Sequence, residues 1–326
     1  MKITVLDDYQ GVVARLEAVS LLAGLPVELR VLTARIADET ALIAALGDAD
    51  GVILIRERSR LTAAVIDALP KLRLIVQTGR LANCIDLDAC RRQGVAVRDG
   101  SGDPIAPSEL TWALILAASR RLIAYNRQLA RGHWQRSAET LTQERLGRRL
   151  HGRALGVWGL GKIGSRVAAI GRAFGMEVLV HGREESRRVA EAAGYRFLSD
   201  RRELLATADV LTLHLRLTPE TRHLLGVDDL ALMRPDALLV NTSRAELLAP
   251  GALLAALDSG RPGAAALDVF EAEPEGVEAY QRHPAIICTP HLGFVEQDTY
   301  EAYFHEAFAQ VRDFMLNGGR RASSST

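Results

Sequence analysis

Residues Ala154–Gly182 read ALGVWGLGKIGSRVAAIGRAFGMEVLVHG. An apolar run, a glycine turn, an amphipathic stretch and a second apolar run follow one another without a break. The turn holds Gly159, Gly161 and Gly164, and Ile163, Val167, Ile170 and Phe174 recur at helical spacing. The spacing therefore predicts strand, tight turn, helix and strand. Each glycine then has its own physical use. Gly159 allows the tight turn, Gly161 lets the backbone approach a pyrophosphate, and Gly164 lets helix and strand pack closely, with phosphate at the helix N-terminus. A bare GxGxxG carries little information, whereas one framed by two strands points to a dinucleotide; a βα turn that binds nothing is the plain alternative.

The same alternation extends in both directions. Towards the C-terminus, VLTLHLRL from Val210, ALLVNTS from Ala237, GAAALDVF from Gly263 and IICTP from Ile286 complete a doubly wound sheet. Towards the N-terminus, KITVLDD from Lys2, VELRVLT from Val27, GVILIRE from Gly51, LRLIVQT from Leu72 and VAVRD from Val95 alternate with amphipathic pieces such as LTAAVIDALP. This pattern implies a second parallel sheet. Between the two lies DGSGDPIAPS (Asp99 to Ser108), rich in Gly, Pro and Ser, which marks a domain crossing before a long helix, SELTWALILAASRRLIAYNRQLARG. The charged run Arg148–Arg153 punctuates the chain again, leaving that helix free to pack against a partner subunit instead of its own sheet.

Composition narrows the function classes. With 326 residues, 48% of them hydrophobic, the chain is long enough for two ordinary domains. Lys plus Arg equals Asp plus Glu at 40 each, so no large net field recruits nucleic acid or an anionic membrane, and a small-molecule partner is the default. MKITVLDDYQ lacks a basic segment before an apolar core, and the longest apolar run, Trp112 to Ala118, is too short to span a bilayer. A soluble, cytoplasmic protein is expected. Cys84, Cys90 and Cys288 have no CxxC spacing and no paired histidines nearby, which argues against a disulfide framework and a metal site.

Three short segments carry the chemistry: NTSRAE around Arg244, DVFEAEP around Glu273 and TPHLG around His291. Hydride transfer to a 2-oxo acid needs a fixed cation for the carboxylate, a proton for the carbonyl oxygen, and a group that orients the proton donor. Arg244, His291 and Glu273 meet these needs in turn, and a carboxylate beside the imidazole favours its charged form. Singly, each has a structural reading: a carbonyl cap, a turn acid before Pro274 and a backbone hydrogen bond. At the end of the second strand, where an acid would bind the ribose 2′-hydroxyl of NAD, stand Gly182 and Arg183. A guanidinium with no neighbouring carboxylate at that strand end favours the 2′-phosphate of NADP over NAD, although Glu184 and Glu185 oppose it.

Taken together, WALILA, GLGKIG, LHLRLTPETRHL, LALMRPDALLVNTSRAEL, GAAALDVFEAEP and TPHLG closely resemble the D-isomer-specific 2-hydroxyacid dehydrogenase family, whose members include phosphoglycerate dehydrogenase and the glyoxylate and hydroxypyruvate reductases. The resemblance covers nearly the whole chain. It implies two doubly wound parallel-sheet α/β domains, a Rossmann cofactor domain over 103–293 inserted in a flavodoxin-like substrate domain formed by 1–102 and 294–326. It also implies that Arg244 binds and polarises substrate, that Glu273 pairs with the histidine, and that His291 is the acid/base. By the same resemblance Leu160, Gly161, Lys162 and Ile163 meet the pyrophosphate, Thr242, Ser243 and Asp268 lie on the nicotinamide side, and His214 lines the cofactor. A homodimer through the long helix after Pro107, and closure of the two halves on the substrate, follow from the family.

Three departures bear on specificity. The Gly182-Arg183 pair is similar to that of NADPH-using reductases. The loop after the fourth strand reads TGRLANCIDL, with Gly79, Arg80 and Leu81 as candidate substrate contacts, where relatives offer closely spaced glycines. Arg80 supplies a second cation if it points inward and is a solvated residue if it points outward. NTSR continues with Ala245 and Glu246, where relatives commonly have glycine first. The expected activity is reduction of a small 2-oxo acid to the D-2-hydroxy acid with NADP, or with both coenzymes. The alternatives are a formate or phosphite dehydrogenase, the former opposed by Glu273, and a nucleotide-sensing, corepressor-like binding protein.

Overall fold

A computed structural model describes residues 1–81 and 83–317. It divides into two compact units, Met1–Asp103 with the segment from Glu296 onward, and Pro104–Val295.

In the first unit, β1 (Lys2–Leu6), β2 (Glu28–Val31), β3 (Gly51–Leu54), β4 (Leu74–Gln77) and β5 (Ala96–Asp99) form one parallel sheet in the order β2-β1-β3-β4-β5. Strands β3 and β4 are buried along their whole length, as expected of a sheet covered on both faces. One face packs on Leu42, Leu46, Val65, Ile66 and Leu69 from the helices Glu39–Leu46 and Ala63–Asp67 and the turn after them. The helix Gln297–Leu316 buries Tyr300, Phe304, Phe308 and Val311 on the same unit, and each large side chain so removed from water contributes about 2 kcal/mol. Strand order reverses between β1 and β3, which makes the carboxyl ends of those two strands the crevice of this sheet.

The second unit holds β6 (Ala154–Trp158), β7 (Glu177–His181), β8 (Arg196–Phe197), β9 (Val210–Leu213), β10 (Leu238–Asn241), β11 (Ala264–Leu267) and β12 (Ile286–Cys288). All pairings are parallel, in the order β12-β11-β10-β9-β6-β7-β8, so order reverses at β6. Fold class agrees with expectation; β8, two residues long, had no pattern by which to be read.

The long helix is a correction. It is two helices, Ile105–Ser119 and Leu122–Ala130, separated at Arg120 and Arg121, and Arg121 takes a left-handed φ of 53°. The first packs on its own sheet, against β10 and β11. Trp112 is buried, donates Nε1–H to the Val167 carbonyl at 3.2 Å and stacks on Phe174 at 4.9 Å. The second leaves Leu122, Ile123 and Leu129 exposed.

Candidate active site

The glycine turn leaves β6 at the reversal of strand order. Gly159 has φ +94°, and a Cβ there would lie 2.6 Å from the His214 carbonyl oxygen. A Cβ on Gly164 would lie 2.1 Å from the Gly159 carbonyl oxygen, so helix and turn touch through backbone alone. Gly161, which caps the helix Lys162–Ala173, is different: a Cβ there would meet nothing within 4 Å. That helix has no acid in its first turn, leaving its positive end uncompensated beside open space. The cradle formed by the backbone of Leu160, Gly161, Lys162 and Ile163 therefore has the open space and positive helix end that suit a pyrophosphate.

His214 follows β9 and shares a 3.0 Å hydrogen bond between Nε2 and the Thr212 hydroxyl. Burial pulls its pKa down to about 4, so the imidazole beside the turn is neutral at pH 7. At the end of β7, a Cβ on Gly182 would sit 2.6 Å from Ser186 Oγ, which itself accepts the Leu160 amide at 3.3 Å. Arg183 caps the helix Glu184–Ala193 and forms no ion pair within 4.0 Å among the described residues. Its charge nevertheless helps the Thr218 hydrogen bond hold Glu220 below the usual carboxylate range. Arg187 and Arg188 are engaged with Glu184, and Arg187 also with Glu191.

The catalytic candidates leave three adjacent strands. Beyond β10, the fully buried Asn241 shapes the turn that carries Arg244. Its Nδ2–H donates to the Arg244 carbonyl at 2.8 Å, and its Oδ1 accepts the Ser243 amide and hydroxyl at 3.1 and 3.0 Å. Thr242 pairs hydroxyl to hydroxyl with Thr111 at 2.7 Å. Beyond β11, Asp268 is fully buried. Its carboxylate accepts the Thr289 hydroxyl at 2.6 Å, the Leu292 amide at 2.7 Å and the Gly293 amide at 2.9 Å, and burial raises its pKa. Expected on the nicotinamide side, this side chain is committed to the loop that holds His291. Beyond β12, His291 adopts a left-handed φ of 52° that the Asp268 bonds on either side of it hold in place. Its Nδ1–H donates to Glu273 Oε2 at 2.6 Å, and Glu273 Oε1 accepts the Phe270 amide at 2.7 Å. Both oxygens of the acid are thus fixed, one on backbone and one on imidazole. Asn241 escaped the sequence reading, although an asparagine two residues before Ser243 is an ordinary turn signal.

In the first unit, Gly79 has φ +68°, and a Cβ there would fall 1.9 Å from Arg56 Nη1. Arg56, which sequence reasoning missed, itself has φ 54° and lies immediately beyond the apolar run of β3. Arg80 is exposed, with its carbonyl held by Gln77 Nε2–H at 3.0 Å. The Leu81 amide donates to Asp99 Oδ2 at 3.0 Å. The Cys84 thiol is buried against Gln77, and burial pushes its pKa up to about 11. Among the described residues no group of three or more His, Cys, Asp or Glu is placed to hold a metal ion, and no helix is long and apolar enough to cross a membrane.

Residues 112–293 match the family model described as D-isomer specific 2-hydroxyacid dehydrogenase, NAD binding domain. The glyoxylate reductase of Aeropyrum pernix is 39% identical over 249 residues, which cover 74% of this chain and 72% of that protein. The chain belongs to the D-isomer-specific 2-hydroxyacid dehydrogenase family. The D-3-phosphoglycerate dehydrogenase of Methanocaldococcus jannaschii is 37% identical over 262 residues, covering 80% of this chain and 49% of that protein. The chain thus spans about half the length of that relative. A crystal structure described as phosphoglycerate oxidoreductase from Vibrio cholerae is 48% identical, with a TM-score of 0.92 over 97% of this chain and 99% of that one. A nicotinamide-binding Rossmann unit in an oxidoreductase family accords with the cradle at Gly161.

Proposed function

We propose that the chain is a reductase that converts a small 2-oxo acid to the D-2-hydroxy acid, prefers NADP or accepts both coenzymes, and uses Arg244, Glu273 and His291. The observation that carries this reading is the 2.6 Å contact between His291 Nδ1 and a Glu273 carboxylate whose other oxygen is tied to the Phe270 amide. With the proton on Nδ1 held by the carboxylate, Nε2 is the atom that gives a proton to the substrate oxygen, or takes one back in the oxidative direction. Arg244 supplies the cation for the substrate carboxylate and polarises the carbonyl. The bound nicotinamide supplies or accepts the hydride.

For the coenzyme, Gly159 to Gly164 would hold the pyrophosphate, Thr242, Ser243 and Asp268 the nicotinamide side, and His214 the wall beside the turn. Arg183 stands where a 2′-phosphate would be met, with no acid at Gly182 to repel it, and this favours NADP. Gly79, Arg80 and Leu81 are proposed substrate contacts of the first unit, which would be the substrate domain. Exposed Leu122, Ile123, Leu129 and Trp134 favour a homodimer through this part of the second unit, and a cytoplasmic location goes with the absence of any expected membrane or nucleic-acid partner.

The test is NADPH and NADH oxidation against glyoxylate, hydroxypyruvate, pyruvate and bulkier 2-oxo acids. His291→Ala should lower kcat by about 10²- to 10⁴-fold with coenzyme affinity retained. If no acid supports turnover while nucleotide still binds, the enzyme reading fails. A His291→Ala rate near that of the native protein would refute the mechanism.

A further inference from the structure

In the first unit the turns leaving β4 and β5 run side by side, with Gln77 in register with Asp99. Three bonds join or shape them. The Gly100 amide donates to the Gly79 carbonyl at 2.8 Å, the Leu81 amide to Asp99 Oδ2 at 3.0 Å, and Gln77 Nε2–H to the Arg80 carbonyl at 3.0 Å. Asp99 is itself held from behind. Its carbonyl accepts Gln310 Nε2–H at 2.8 Å, while Glu306 accepts the Ser101 amide at 2.7 Å and the Ser101 hydroxyl. The helix Gln297–Leu316 therefore fixes the tail of β5, and the Asp99 charge is directed at one backbone amide.

That amide sits on the exposed turn Arg80–Leu81, where water would satisfy it at no cost. A carboxylate there forms the stronger, charge-assisted bond. Two cations border the turn: the Arg56 guanidinium, 4.0 Å from Glu57, lies over Gly79, and Arg80 is exposed on the same turn. The Asp99 carboxyl group is chemically the same as the carboxylate of a 2-oxo acid.

We propose that Asp99 is a specificity-determining residue that occupies, with its own carboxylate, the Leu81 amide at which a substrate carboxylate binds. This rests on the reductase reading above. An incoming acid must displace Asp99 and then tolerate its charge, so Asp99 weakens the binding of small acids that have no group to receive it. Asp99→Ala frees the amide and removes the charge; Asp99→Asn removes the charge and keeps an acceptor.

The experiment is calorimetric titration of the full chain, with NADH present, by oxamate, an unreactive carboxylate of 2-oxo-acid shape. Oxamate should bind Asp99→Ala about fivefold more tightly than the native protein, the scale of one net hydrogen bond, with Asp99→Asn in between. KM for glyoxylate should fall in the same order. Oxamate binding that is absent, unchanged or weaker in Asp99→Asn and Asp99→Ala overturns the proposal. Should Asp99→Ala fail to fold, Asp99→Asn alone decides it. Absence of turnover by the native protein defeats the reductase reading separately, because oxamate titration needs no catalysis.

Discussion

The two sheets reverse strand order at β1 and at β6, yet the turns that follow have opposite chemistry. After β6 come Gly159 and Gly161, then a 12-residue helix that holds Gly164 and has no acid in its first turn. After β1 come Asp7, in a left-handed conformation with φ 61°, and Asp8, both buried. Ser59 donates its hydroxyl to Asp7 at 2.6 Å, the Val13 amide donates to Asp8 at 2.9 Å, and two short 3-10 helices follow, Val13–Arg15 and Glu17–Leu22, with no α-helix before β2. A phosphate needs free amide donors and the positive end of a helix. The first turn offers two carboxylates and an amide already in use; the second offers backbone and open space. Equal topology therefore creates two crevices, and the first few residues of the turn decide which one suits a phosphate.

The strongest way to break this contrast is to fill the second turn. A Cβ on Gly164 would meet the Gly159 carbonyl at 2.1 Å, while one on Gly161 would meet no protein atom within 4 Å. Gly164→Ala should distort the turn and weaken NADH binding by about a hundredfold, near the upper range for overpacking. Gly161→Ala is the sharper companion, since it leaves the protein's own packing alone and should weaken coenzyme only because a ligand comes to that space. Fluorescence titration of NADH and NADPH reads both. Full coenzyme affinity in Gly161→Ala would mean that the pyrophosphate lies elsewhere.

A smaller change probes the neighbouring strand end. Arg183→Asp restores the acid that the NAD-type arrangement carries and removes the cation nearest Gly182. The ratio of kcat/KM for NADPH to that for NADH should fall by about tenfold or more, the size of one charge-assisted contact. An unchanged ratio would remove Arg183 from coenzyme selection and leave the acids at Glu184 and Glu185 as the dominant local charges.

How far the sequence could be read follows from the range of each interaction. Gly159 and Gly164 were legible because their constraint is local: a positive φ, or a backbone contact within five residues, shows as glycine. Strands β3 and β4 were legible because burial on both faces writes continuous apolar runs. The helix break at Arg120 and Arg121 was not, since no Gly or Pro interrupts LILAASRRLIAY and the arginine in the left-handed turn has no sequence signature. Arg56 over Gly79, and Asp99 on Leu81, join residues far apart in the chain, so neither residue type announces the contact. Asp268 was picked out by resemblance, but its complete burial and its hold on Thr289, Leu292 and Gly293 belong to tertiary packing.

The smallest effect expected lies beside the glycine turn, where the neutral His214 borders the crevice. Its pKa of about 4 in the folded protein is below the ordinary value of 6.5, and burial is the cause. Folding therefore disfavours its proton. Stability linked to this group is complete above pH 6.5, is lost as pH falls from 6.5 towards 4, and changes no further below that. A full shift corresponds to about 1.4 kcal/mol per pH unit, but the residue keeps some solvent contact, so about 1 kcal/mol is expected between pH 7 and pH 5. Thermal unfolding of the native protein and of His214→Asn at both pH values isolates it, because every other titrating group cancels in the difference. The native protein should lose more stability than the variant on acidification. Equal losses would mean that His214 takes up its proton as readily in the fold as out of it, and the turn would then sit beside a titrating cation.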